Sequence, residues 1–208
     1  MRNLRVFALI LKSCLLSFWA LSLPAQSSNP IALTLCETGR RLYVDGDQMA
    51  AEKYARLAIQ ADPSFTEAHE LLAHSLFYQQ KYKVAVLAYR RTMEINARTH
   101  ALPLPRFRAD VDNFAMACGL SGDLPCAKSI LRSAIANDRD YPLFYYTLAC
   151  AYAEGGDLEN TIVNLKAAVE RIAHVNPGER FPDPRTDPSF AKYRHNPKFQ
   201  RLIIELGY

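Results

Sequence analysis

The stretch "GRRLYVDGDQMAAEKYARLAIQADP" (39–63) reads as two helical segments around one tight turn. The Gly46-Asp47 pair marks the turn, since glycine tolerates the backbone geometry at which a helix stops. Gly39 on the first segment and Ala51 on the second are small, which lets two antiparallel helices approach closely. Ala58 offers the same close approach to a following element, and Leu42 and Ile59 supply bulk to fill the gaps. Asp62-Pro63 closes the stretch. One such hairpin cannot bury its apolar face alone, so the reading demands neighbours.

The neighbours are present at fixed spacing. Ala51, Ala85, Ala127 and Thr161 are separated by 34, 42 and 34 residues. Ala58, Thr92, Ala134 and Ala168 keep that spacing, as do Gly39, Ala73, Ala115 and Ala149. The turn recurs as Gln80-Lys81, Gly122-Asp123 and Gly156-Asp157. Four units result, at 32–65, 66–99, 108–141 and 142–175. With the segment "LACAYAEGGDLENTIVNLKAAVE" (148–170) as a second good copy, these units resemble the tetratricopeptide-repeat (TPR) family. The resemblance implies an all-α fold: a right-handed superhelix, or α-solenoid, of about four helical hairpins.

Two segments depart from the period. The insert Arg98–Phe107 contains "ALPLPRF" (101–107), whose Pro103 and Pro105 predict the end of a helix and an extended stretch. It is either a longer loop between repeats or a break at which two halves hinge. After the fourth unit, prolines 177, 182, 184 and 188 predict a loop over 176–188. Asp187-Pro188 and Asn196-Pro197 then each read as a helix start, with a capping side chain and proline in the first turn. The "DPSF…NPKF" run (187–199) resembles a terminal segment of bacterial repeat proteins of this family, and implies capping helices over the last unit. Phe190, Tyr193, Phe199, Leu202 and Ile203 are the residues expected to cover its apolar face.

At the other end, Arg2 and Arg5 precede an apolar stretch from Val6 to Leu23, interrupted by Lys12. Residues 1–25 read as a secretory signal peptide, cleaved after Ala25 or Ser27, with 26–31 a short linker. The alternative is an uncleaved membrane anchor over residues 6–23, close to the ~20 residues a span needs. Removing residues 1–25 leaves 22 basic against 21 acidic residues, a balance with no electrostatic footprint for nucleic acid. The chain is otherwise of ordinary globular composition, with 50% apolar and 22% charged residues and only 8 glycines in 208.

Catalytic chemistry is not written in the chain. The five histidines form no His-Glu-x-x-His motif, and His69 and His74, five apart, diverge by about 140° on a helix. They read as solvated or interfacial, with no metal and no cofactor expected. No phosphate-binding glycine loop, nucleophile elbow or paired acidic motif occurs. Cys118 and Cys126 flank one turn, where a disulfide is possible in an oxidising compartment; small buried hydrophobes are the other reading. A thiol-dependent chaperone built on them is a remote third function.

The family resemblance places the ligand face on the first helix of each hairpin, lining a concave groove. The positions carried over are Arg40 and Tyr43 with Cys36, then Glu70, His74, Phe77 and Tyr78, then Asp112 and Asn113, then Tyr146. Family members that clamp a terminal carboxylate use lysine and asparagine where Cys36 and Arg40 stand here, so that mode is not implied. Aromatic side chains with a few charges suit a protein or peptide partner, although Tyr43, Phe77, Tyr78 and Tyr146 could equally pack between units. The expectation is a non-catalytic interaction scaffold, exported to a bacterial periplasm or surface, or else tethered in an envelope complex by its N-terminal segment.

Overall fold

The computed structural model describes residues 27–208, so the signal-peptide reading of residues 1–25 lies outside the described residues. Among the described residues all regular structure is helical. No helix there is long and apolar enough to cross a membrane. The described chain divides into two compact units, 27–121 and 122–208.

The first unit holds α1 (Pro30–Val44), α2 (Gln48–Ala61), α3 (Thr66–Tyr78), α4 (Tyr82–Thr99) and α5 (Leu104–Leu120). The Asn29 side chain accepts from the amides of Ile31 and Ala32, and Asp47 does the same for Ala50, satisfying donors that a helix start leaves bare. The small residues do what their spacing requires. Ala51, Ala58, Ala73 and Ala85 are fully buried. A Cβ added to Gly39 would stand 2.7 Å from a Leu71 methyl and 3.1 Å from Tyr54 Cβ, so α1 tolerates no side chain there. The fold is that of stacked TPR-type hairpins, an α-solenoid.

The insert differs from its extended expectation. α4 runs on to Thr99 and is stopped by His100, whose backbone is left-handed at φ 49° and whose amide bonds to the Asn96 carbonyl at 2.8 Å. The buried Asn96 side chain then accepts from the Leu102 amide at 2.8 Å. Residues 100–103 are the connection, and helix resumes at Leu104 with Pro105 in its first turn. Proline is tolerated there because the amide it lacks has no intrahelical acceptor. Residues 104–107 of the insert are therefore an extra turn, making α5 17 residues long against 13 for α3.

The second unit holds α6 (Leu124–Asn137), α7 (Pro142–Glu154), α8 (Leu158–Val169) and α9 (Pro197–Glu205), with short 3₁₀ turns at Ile172–His174 and Pro188–Tyr193. Asp187 and Asn196 each cap a helix start, accepting from Ser189 and Lys198 amides at 2.9 Å. The first of these two starts yields a 3₁₀ segment and the second an α-helix. Phe190, Phe199 and Leu202 pack with Tyr146, Ala149, Leu165 and Ala168 of α7 and α8, with Tyr193 and Ile203 against the margin of that cluster. The C-terminal segment thus caps the last hairpin. Cys118 in the first unit and Cys126 in the second are both disulfide-bonded, whereas Cys36 and Cys150 are buried thiols outside any disulfide.

Candidate functional site

The face shared by α1, α3 and α5 in the first unit concentrates the polar chemistry of the chain. Glu70 and His74 lie one turn apart on α3, and Arg106 and Asp110 one turn apart on α5. The two pairs meet in register. Arg106 donates through Nε to Glu70 Oε1 at 2.9 Å and through a second nitrogen to Oε2, a two-pronged guanidinium–carboxylate pair. His74 Nε2 lies 2.6 Å from Asp110 Oδ1. Glu70 and Asp110 are each 1% exposed and His74 3%. Burial of this order makes every member depend on its partner, because an uncompensated buried charge costs several kcal/mol.

The local field follows from the same contacts. Burial, reinforced by the Glu70 charge, pushes the Asp110 carboxyl up to about 6, against the opposing pull of His74 and Arg106. Burial raises Glu67 on the preceding turn of α3 as well, with Arg106 and Arg40 opposing. The Cys36 thiol of α1 is pushed up to about 12 by burial, which keeps it protonated and unreactive. Tyr43 stands edge-on to His74 and to Tyr78, with ring centroids 6.1 Å and 5.6 Å away. Tyr89 of α4, fully buried, has its ring 5.6 Å from that of His74.

Each residue expected on the groove can be placed. Arg40 and Tyr78 are half-buried, while Tyr43, Glu70, His74 and Phe77 are buried, all in the first unit. Asp112 and Asn113 are buried in α5. Tyr146 belongs to the core of the second unit: its ring packs against Phe181 and Phe190, and its hydroxyl donates to Asp187 at 2.9 Å. Of the two readings of these histidines, solvated or interfacial, burial removes the first: His74 is enclosed between α3 and α5, and His69 is also buried, its Nε2 3.0 Å from the Pro63 carbonyl. A buried imidazole needs a partner at once, and both found one.

Arg106 and Asp110 escaped the sequence reading. Arg106 sits in the insert, which was expected to be extended and so carried no helical register. Had α5 been started at Leu104, two complementary pairs at i,i+4, Glu70/His74 and Arg106/Asp110, would have been visible at a common separation of 36 residues.

Glu70, His74 and Asp110 also present three donor atoms within 4.8 Å of one another, one imidazole and two carboxylates in composition. The two-pronged Arg106 contact occupies both Glu70 oxygens and places a cation where a second one would have to enter.

No protein-family model and no curated protein matches the chain. Solved structures do. The chain is similar to MamA at 17% identity and a TM-score of 0.61, covering 70% of this chain and 80% of that one. A MamA RS-1 double mutant aligns at 14% identity and a TM-score of 0.64 over 86% and 96% of the two chains. YrrB, described as a TPR protein with an unusual peptide-binding site, aligns at 12% identity and a TM-score of 0.59 over 85% and 86%. Identities this low speak to the fold alone.

Proposed function

We propose that this chain is a non-catalytic interaction scaffold, exported from the cell, that binds a protein or peptide partner on the face of α1, α3 and α5. The carrying observation is the cluster itself. Arg40, Glu70, His74, Arg106 and Asp110, with Tyr43 and Tyr78, bring charge and aromatic rings together on one helix face of the first unit. A core left to itself is cheaper to build from apolar side chains of similar volume. Directional polar groups beside aromatic anchors are what recognition of another chain uses. The peptide-binding description of YrrB supports the same reading by likeness of fold.

Two features support export. Disulfide-bonded Cys118 and Cys126 fit an oxidising compartment. Ser27 is built into the start of the fold: its hydroxyl donates to Asp62 and accepts from the Asn29 amide. Cleavage after Ala25 keeps that contact, and cleavage after Ser27 would remove it.

The test is affinity capture with the tagged, exported protein beside a variant carrying Arg40→Ala, His74→Ala and Tyr78→Ala. The wild type is expected to retain a partner that the variant loses while its helical circular dichroism persists. A partner retained equally by both places the binding surface elsewhere.

A further inference from the structure

α3 has a second side, away from Glu70 and His74. There Leu72 and Leu76 form the floor of an open groove of about 430 Å³ between α2 and α4, wholly within the first unit. Ile59 of α2 and Val84 and Leu87 of α4 line its walls, and Arg56 and Arg91 stand at its rim. The size falls in the ~300–1,000 Å³ range of binding clefts. Val84 and Leu87, about one turn apart on α4, are 47% and 63% exposed, so apolar surface is left open to water beside the recess.

The charge around this groove is lopsided. α2 and α4 together hold six basic residues against two acidic ones, a net +4, whereas residues 26–208 as a whole hold 22 against 21. Both acidic residues are already engaged, Glu52 with Arg56 and Lys81 and Glu94 with Arg91. The Arg91–Glu94 contact is exposed on both sides, and such pairs are weak enough to give way to a better partner. Lys53, one turn before Arg56, and Arg98, two turns after Arg91, extend the basic edge at exposed positions of the same helices. The rim therefore complements an acidic partner.

The recess selects among anions. Its α4 positions run from Val84 to Arg91, about 10 Å of helix at ~1.5 Å per residue. A helix laid along it presents apolar side chains at i, i+3 or i+4, and i+7 over the same length. A flat anionic bilayer would meet the basic rim and leave the floor at Leu72 and Leu76 untouched. We infer that the groove between α2 and α4 is a second docking surface, and that it takes an acidic amphipathic helix of a partner protein. The aliphatic side chains of that helix lie against Leu72, Leu76 and Leu87, and its carboxylates lie at Arg56 and Arg91. This surface shares α3 with the face of Glu70 and His74 but none of that face's side chains.

The experiment follows the fluorescence anisotropy of a labelled helix-forming peptide, with leucines at i, i+3, i+4 and i+7 and glutamates elsewhere, titrated with the purified full chain. One control peptide carries lysine in place of the glutamates, a second carries glutamine in place of the leucines, and phosphatidylglycerol vesicles are added as a competitor. The acidic peptide is expected to bind saturably, about ten-fold or more tighter than either control, and less tightly as salt is raised. Leu87→Asp, at an exposed position, should weaken it about ten-fold or more with helical circular dichroism unchanged. Arg56→Glu with Arg91→Glu should exchange the preference, favouring the lysine peptide, a gain that misfolding cannot produce. The variant Arg40→Ala, His74→Ala, Tyr78→Ala should bind the acidic peptide as the wild type does. No saturable binding overturns the inference. So does equal binding of the glutamine peptide, the mark of a merely basic surface, or displacement of the acidic peptide by the vesicles, which would assign the groove to lipid. Loss of the peptide from the triple variant, with Leu87→Asp unaffected, would place it on the α1, α3 and α5 face, sinking the second surface and leaving the scaffold reading standing.

Discussion

Gln80 occupies the place that glycine takes in the other three turns. Gly46, Gly122 and Gly156 have φ of 88°, 93° and 82°, and Gln80 is held at 61°. A side chain in the left-handed region costs about 1–2 kcal/mol through the clash of Cβ with the backbone carbonyl. The next residue departs too, because Lys81 makes no side-chain cap where Asp47, Asp123 and Asp157 accept from the helix amides of Ala50, Cys126 and Asn160. Lys81 instead pairs with Glu52 of α2 at 2.9 Å. Although partial burial pushes the Glu52 carboxyl up, hydrogen bonds from Lys81, Arg56 and Gln79 bring it down to about 2. The two positions therefore have opposite prospects: Lys81 links hairpins and should be left alone, whereas Gln80 is exposed and only strained. Gln80→Gly should raise stability by roughly 0.5–1 kcal/mol after the entropy glycine returns to the unfolded chain. A urea titration checks it, the expected sign being a higher midpoint at unchanged slope.

Among the helices, the two ends of the insert show how local rules and packing divide the work. His100 stops α4, and Pro105 costs nothing as α5 begins, so the chain gains a turn where its prolines alone suggested none. That turn carries Arg106 onto Glu70. α9 shows the opposite balance. It has 9 residues, too few to hold together by backbone hydrogen bonding. What holds it is the burial of Phe199 at 1% exposure and Leu202 at 2%, beside Phe190 at 0%. Phe199→Ala should cost about 3–5 kcal/mol and expose the apolar face of α8. Amide hydrogen exchange is expected to show lost protection in α8 and α9, with α1 to α4 unchanged. Loss of protection spread evenly over the chain would mean that the cap is not a separate layer.

For the molecule entire, export and redox state converge on one measurement. Cys118 and Cys126 are disulfide-bonded, and Cys36 and Cys150 are thiols, 1% and 2% exposed. Intact-mass analysis of the secreted chain should find an N-terminus at Gln26, with Ser27 retained to hold Asp62. Alkylation without denaturant should add nothing to the described part of the chain, and alkylation in denaturant without reductant should add two groups there, at Cys36 and Cys150. An intact residue 1 would favour the anchored form, and four alkylated sites would deny the disulfide.

The helical hairpins were legible in the residues alone, because small side chains at a recurring spacing and, in three of the four turns, a glycine where a helix must stop are local demands. So were the two capped starts of the C-terminal segment. Which side chains share a helix face was legible, but not what they meet there. Whether Tyr146 packs or binds depends on what lies opposite it, and Phe181, Phe190 and Asp187 decided for packing. His74 read as solvated or interfacial, and Asp110, 2.6 Å away on another helix, decided for the interface. Arg106 read as loop until the connection at 100–103 set the register of α5. Buried charge is a property of pairs separated by 36 residues in the chain. Helix spacing says which side chains share a face, and only the packing of one helix on another says which of them meet.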